Sequence, residues 1–406
     1  MNLNRKFIYS FCALYLNWSI FVEILRDLSI ILLGYEHEGI IFFNKIVSIL
    51  YLLIIILLML IRKKGTIAVI ICQGWLCLCI LTLILIPAFE IIFTKAVFYS
   101  FSQVIAVIYL LLEIDEMDEL VKILEKYIFI GILYSVIHWR VFDITGQYSM
   151  AYSHSSMIPA LLSFLLLFEK KKILYFVYSG FFLIVNIRCG SRGSLLCYGV
   201  AVIFYFLIFG QSGKKLFYIF SGIPVCFLFL LNMKKIFLFI SKYMKGSRTI
   251  ELFAEGKFFY LSSRDKYYHF VIEEVIKSPL RIRGIYSDRI YLGEFLGCTE
   301  VNSIFGTYSH NFILEILFQF GIWGGIILLL CAFFLQKSVH EVKTRNDSAL
   351  KTIYIIFASY CIGQLLFSGS YLTAVSFGAL AGVISSMNIN KTYKCMKNTP
   401  KNEKKF

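Results

Sequence analysis

His310 and Asn311 stand side by side where a long polar segment meets an apolar run continuing to Leu335, with Tyr308 two residues earlier. A histidine at such a boundary lies at membrane-surface depth. Imidazole titrates near neutral pH and accepts a hydroxyl proton, so His310 is a candidate general base, with Asn311 placed to orient it or a substrate hydroxyl. An interfacial histidine also pairs with lipid or backbone, and that plainer role stands beside the first. His37, His138, His154 and His269 fall on the same side in the topology derived below; His154 and His269 compete with His310 for the role of base. His340 falls on the opposite side.

Arginines supply the second kind of chemistry. Arg188 and Arg192 bracket a tight turn, Arg188-Cys189-Gly190-Ser191-Arg192-Gly193-Ser194, at the outer ends of two apolar runs. A guanidinium is a planar, permanently charged fork that fits phosphate, and glycines on both sides let backbone approach a ligand. Arginines at helix ends also snorkel to headgroups. Further along, Ser262-Ser263-Arg264-Asp265 is a capping-box pattern with Ser262 as cap. Behind it Tyr267, Val271, Val275 and Tyr268, Ile272, Ile276 recur at helical spacing until Pro279 and Gly284 stop the pattern. Arg264 therefore sits in the first turn of a short amphipathic helix suited to the membrane surface. A cation there opposes the helix dipole, unless it shares a bound phosphate with the free backbone N–H groups. Basic residues outnumber acidic ones throughout 233–309, Arg281 and Arg283 among them, which points to an anionic substrate. Tyrosines in the segment, Tyr308 included, offer flat faces and hydroxyls that suit sugar rings, although tyrosine also belongs to interfacial belts.

The elements that position these groups are set by composition. Hydrophobic residues make up 59% of the 406-residue chain and charged ones 16%, and the mean hydropathy is +0.77. Repeated apolar runs of about 20 residues read as transmembrane helices, so the expected fold is an all-α polytopic membrane protein. Runs fall at 7–33, 39–61, 66–87, 88–112, 127–145, 156–168, 173–188, 194–210, 216–232, 310–336, 349–367 and 370–387, giving about twelve spans. The expected organisation is nine helices over 1–232, an extracytoplasmic catalytic loop over 233–309, three helices over 310–387 and a basic cytoplasmic tail over 388–406. The apolar stretch after Lys6 resembles a signal peptide but lacks a small-residue cleavage site, so an uncleaved first helix is expected.

The formal charge of +15 is spread in short clusters between apolar runs rather than on one basic face, which argues against nucleic acid. Placing the N-terminus in the cytoplasm puts Arg62-Lys63-Lys64, Lys170-Lys171-Lys172, Lys214-Lys215 and the Lys391–Lys405 tail inside, and leaves the short outside turns without Lys or Arg. Both termini are then cytoplasmic. The eleven cysteines lie mostly in apolar runs and form no CxxC pair, and no Walker A, DxD or HExxH motif occurs. Neither ATP nor a metal-bound nucleotide sugar has a visible binding motif, and no cofactor is expected. Few charges lie deep in the runs: Lys45, Glu90 and Lys95, besides those in the first.

Ser191-Arg192-Gly193, Arg264 and His310-Asn311, followed by Gly321-Ile322-Trp323-Gly324-Gly325, resemble in order and spacing the bacterial O-antigen polymerase and ligase superfamily. Motif likeness covers about 188–325, and topology the full length. The resemblance implies metal-independent glycosyl transfer on the outer face of the bacterial cytoplasmic (inner) membrane, from an undecaprenyl-pyrophosphate-linked oligosaccharide. Arg192 and Arg264, with Arg188, would hold the pyrophosphate, and His310 would take the acceptor proton. It further implies a chain-length regulator and a flippase as partners in O-antigen or capsule assembly. A polymerase is the reading preferred here. A ligase moving a finished chain is the nearest alternative, and a flippase is a third, disfavoured by the single large loop and the absence of an obvious two-half repeat.

Overall fold

The computed structural model describes residues 5–62, 64–147, 149–189, 191–210, 214, 231–244, 246–257 and 264–398. Helices account for 84% of the described residues, with no strand among them, so the described structure is all-α. The elements are α1 (Arg5–Leu33), α2 (Glu38–Ile61), α3 (Gly65–Leu85), α4 (Glu90–Ser100), α5 (Ala106–Leu112), α6 (Met117–Thr145), α7 (Met150–Ser155), α8 (Met157–Lys170), α9 (Ile173–Cys189), α10 (Arg192–Val202), α11 (Arg248–Ala254), α12 (Arg264–Lys277), α13 (Ser287–Phe295), α14 (Val301–Gly306), α15 (Phe312–Phe320), α16 (Trp323–Arg345), α17 (Ser348–Phe367) and α18 (Val375–Asn398). Residues 231–241 are also helical.

Among the described residues, six helical stretches are long and apolar enough to cross a membrane: α1, α2, α3, Pro87–Leu112, α16 and α17. Burial sorts them. In the most apolar window of α17, 72% is buried, against 17% for α2 and α3 and 11% for α16. Helix α17 is thus the central post, whereas α2, α3 and α16 expose apolar side chains such as Leu57, Leu60 and Leu329, the pattern of lipid-facing helices. Without a hydrophobic drive between helices in lipid, close packing depends on small residues. A Cβ on Gly363 of α17 would lie 3.1 Å from Cys197 Cα on α10. One on Gly382 of α18 would meet Leu111 Cβ at 2.9 Å and Ile108 Cα at 3.1 Å on α5.

Two runs are broken inside. Pro87–Leu112 contains a π-turn over Phe101–Ile105. The expected 310–336 helix is divided into α15 and α16 at Gly321, whose φ is +60°. There the backbone is pressed against the Pro279 and Arg281 carbonyls, and Ile322 N donates to Pro279 O at 2.7 Å. Only glycine fits that approach, and the break sets α15 apart as a short helix carrying Glu315 and Gln319, both buried. Residues 216–230 of the expected 216–232 helix and the Ser262 cap lie outside the described residues, while 231–232 begin the helical stretch that runs on to 241.

The expected helix after Arg264 is present as α12. Its Val271 is fully buried, and Tyr267, Phe270 and Val275 pack beside it against Leu292 of α13 and Phe318 of α15. Ile272 and Ile276 are 44% and 71% exposed. One apolar stripe therefore docks on the fold and the other faces outward.

Candidate functional site

The motifs that are far apart in sequence meet at the turn Ser368–Thr373 between α17 and α18. Arg264 donates to the Phe367 carbonyl and Tyr308 to the Ser368 carbonyl. The Asn311 amide nitrogen lies 3.5 Å from the Leu366 carbonyl, and its Oδ1 caps α15 by accepting from Ile313 N at 3.0 Å and Leu314 N at 3.3 Å. From the other side, a Cβ on Gly193 would stand 3.7 Å from Ser368 Oγ, which puts the Ser191-Arg192-Gly193 turn against the same hydroxyl. His154 Nε2 is 3.4 Å from that Oγ. Arg192 opens α10 immediately after the Ser191 cap and is half-buried.

His310 occupies the left-handed region at φ +53°, an uncommon place for a non-glycine residue and one that costs about 1–3 kcal/mol. Its ring packs on Tyr308, centroids 4.0 Å apart, and stacks on Tyr267 at 6.1 Å. Burial, then the Arg264 and Arg289 charges, push its pKa down to about 4, while a hydrogen bond to the Ser368 backbone works the other way. The imidazole is consequently neutral at pH 7. Its Nδ1 is buried without a partner among the described residues, leaving a lone pair for an incoming proton. Asn311, the residue after His310, acts on this geometry as the cap that fixes where α15 begins. Burial likewise lowers His154 to about 4. His269 is exposed on α12, and His37 caps α2.

The other arginines divide sharply. Arg188 pairs with Asp143 and lies over the Trp139 ring at 4.2 Å, so its charge is already answered by the C-terminal part of α6. Arg281 is exposed and donates to Tyr291 Oη at 3.1 Å. Arg283 is buried, donating to the Glu274 carbonyl at 2.7 Å and the Phe318 carbonyl at 3.3 Å while covering the Phe318 ring at 4.8 Å. The expected substrate role for Arg283 does not fit this placement. Its guanidinium is committed to holding α12 onto α15.

Beneath His310 lies a polar cluster that sequence reasoning passed over. Arg289 is 2% exposed, and Asp288 and Glu315 are each 0% exposed. Asp288 Oδ1 accepts from Gln319 Nε2 at 3.0 Å, Glu315 Oε1 from Ser370 Oγ at 2.5 Å, and Gln319 Oε1 from Tyr371 Oη at 2.5 Å. Arg289 donates to the Phe305 carbonyl, and its guanidinium carbon is 4.5 Å from the Phe305 ring, 4.8 Å from Tyr308 and 5.1 Å from Tyr286. Burial raises the Asp288 carboxyl, opposed by Arg289 and by hydrogen bonds from Gln319 and Ser309. Arg289 Nε and Nη2 and Glu315 Oε2 are buried and have no hydrogen-bond partner among the described residues. Tyr286, at φ +62°, joins His310 here as one of four non-glycine residues at positive φ among the described residues, the other two, Lys171 and Asn346, lying elsewhere. A signal existed: Glu315 and Gln319 are polar residues one helical turn apart inside an apolar run.

A further buried dyad, Asp27–His138 at 2.6 Å, joins α1 to α6, with the His138 ring stacked on Tyr152 at 4.6 Å. Among the described residues no group of three or more His, Cys, Asp or Glu side chains is arranged to hold a metal.

Comparison with protein-family models, with curated proteins and with solved structures finds no match for this chain.

Proposed function

We propose that this chain is a membrane glycosyltransferase of the polysaccharide-polymerase kind. It would move a glycan from undecaprenyl pyrophosphate onto an acceptor repeat unit at the outer face of a bacterial cytoplasmic membrane, with both termini inside and about twelve spans. The observation that carries the reading is the convergence of Arg264, His310 and the Ser191-Arg192-Gly193 turn on the adjacent Phe367 and Ser368, from three separate parts of the sequence. Chemically the parts suffice. Arg264 and Arg192 offer fixed positive charge to a departing pyrophosphate, and charge aimed at a leaving group is commonly the largest catalytic contribution. A neutral His310 with an unpartnered Nδ1 takes the acceptor hydroxyl proton as that oxygen attacks the anomeric carbon. A lipid pyrophosphate is an activated leaving group, so no nucleotide is required. Binding it would also place negative charge beside Arg264 and Arg289, relieving the repulsion that depresses His310 and making it a stronger base in the complex.

The test is substitution in cells. His310→Ala and Arg264→Ala should each abolish polymer while protein levels stay normal. Near-wild-type polymer from either variant removes that residue from the mechanism.

A further inference from the structure

Three ionisable residues carried by apolar runs face one cavity. A cavity of about 720 Å³ opens between α1, α2, α4, α17 and α18, and its wall includes Glu23, Lys45, Lys95 and His154. A charged side chain in a membrane span costs about 2.5–3.5 kcal/mol at mid-helix, so such residues turn toward a polar ligand, a partner or water. Here Glu23, Lys45 and Lys95, from three different spans, all face the same space. Glu23 is answered by Arg26 at 2.6 Å, leaving the two lysines as the cavity's net charge. Lys95 also donates to Asn302 of α14, tying the cavity to the loop helices around His310.

The rest of the wall is of a particular kind. Trp18 and Tyr99 contribute aromatic rings to the wall, and Asn44, whose Oδ1 accepts from Trp18 Nε1 at 3.0 Å, and Ser48 contribute polar groups. The π-turn at Phe101–Ile105 adds to this: it brings Ser102 and Gln103 onto the wall, and the Ser102 carbonyl accepts from Tyr15 Oη at 2.5 Å. A lipid tail alone would leave the two ammonium groups without an answering charge in a dry site. Flat aromatic faces beside hydroxyl and amide groups match a sugar ring, and the lysines add an anion to the specification.

The cavity also shares a wall with the catalytic cluster. His154 lines it while reaching Ser368 Oγ, and Gln364 lines it while its carbonyl accepts from Ser368 N at 2.9 Å and Gly369 N at 2.7 Å. A ligand seated there lies across the Gln364–Thr373 segment from His310.

We propose that this cavity binds the sugar of the acceptor, and that Lys45 and Lys95 select rings carrying an anionic group such as a uronate carboxylate. The word acceptor rests on the glycosyl-transfer reading above; the binding preference does not. The experiment is equilibrium binding to the purified full-length protein in nanodiscs of neutral lipid, with no turnover. The probes are a lipid-anchored disaccharide ending in glucuronate, the same compound ending in glucose, and farnesyl diphosphate. The glucuronate probe should bind at least about tenfold more tightly than the glucose probe, roughly 1.4 kcal/mol, and a Lys45→Gln/Lys95→Gln double variant should bind both alike. A Lys45→Arg/Lys95→Arg variant, which keeps the charge, guards against misfolding and should retain the preference. Equal binding of the two disaccharides to the wild-type protein overturns the proposal, as does a preference that survives the glutamine substitutions. If instead farnesyl diphosphate alone depends on the lysines, they hold pyrophosphate and the sugar assignment falls. A lysine-dependent preference in a protein that lacks transferase activity would support the cavity and sink the reaction.

Discussion

Arg289→Met removes a cation from a place where nothing else can replace it. Asp288 and Glu315 are fully enclosed beside it, and the guanidinium lies 4.5–5.1 Å from three aromatic rings. Breaking a buried charge cluster by deleting one member costs about 3–5 kcal/mol, because the carboxylates that remain must either stay ionised without an answering charge or take up protons. A desolvated cation–π contact contributes up to ~2 kcal/mol of that total. Arg289→Lys keeps the charge but loses the flat fork that lies over Phe305 and Tyr308, so its cost should be smaller, about 1–2 kcal/mol. Adding Glu315→Gln to Arg289→Met removes one of the unanswered carboxylates and should recover part of the loss, with a coupling of about 0.5–3 kcal/mol in the double-mutant cycle. Reversible unfolding in mixed micelles, followed by far-ultraviolet circular dichroism, measures the wild type, the three single variants and the double variant. An Arg289→Met protein within about 1 kcal/mol of wild type would refute the reasoning, as would a Glu315→Gln substitution that deepens the defect.

Protonation and packing give further tests. With His310 held at about 4, the acid limb of kcat/KM should fall near that value rather than near the ordinary histidine value of about 6.5. Any residual activity in Arg264→Gln should show the limb moved upward, since removing a nearby cation makes the imidazolium less unfavourable. His310 and His154 both titrate lower in the folded protein than in the unfolded chain. Between about 6.5 and about 4 the unfolded state therefore binds more protons, and stability should decline as pH falls through that window. Gly363→Leu should force α17 away from Cys197 on α10 and separate the Ser191-Arg192-Gly193 turn from Ser368. We expect lost activity with a destabilisation of about 1–3 kcal/mol, read by unfolding and by a transferase assay on the same preparation.

The sequence was informative where one physical term dominates. Apolar runs such as Ser348–Phe367 declare helices by length alone, and the Tyr267-Val271-Val275 stripe announced α12 and the face by which it docks. Spacing of Arg264 and of His310-Asn311 was enough to mark residues that the fold brings to one turn. It failed where the outcome depends on what a distant segment does. Gly321 looks like any glycine in an apolar run until Pro279 and Arg281 arrive against it, and the break follows from that approach. Arg283 and Arg289 are six residues apart in the same basic segment, yet one is a staple between helices and the other lies over the Tyr308 ring beside His310. Nothing local separates them. The charges of the first helix looked like an interruption of the apolar pattern, whereas Asp27 is matched by His138 from a segment more than a hundred residues later.

The central claim is that this site elongates a lipid-linked glycan, and mass spectrometry of undecaprenyl-linked glycans from cells lacking the chain, with sidedness determined, tests it directly. The account predicts single repeat units accumulating on the outer face. Full-length polymer stranded on the lipid would mean a ligase, and single repeats trapped inside would mean a flippase. An unchanged lipid-linked pool would contradict the glycan reading altogether.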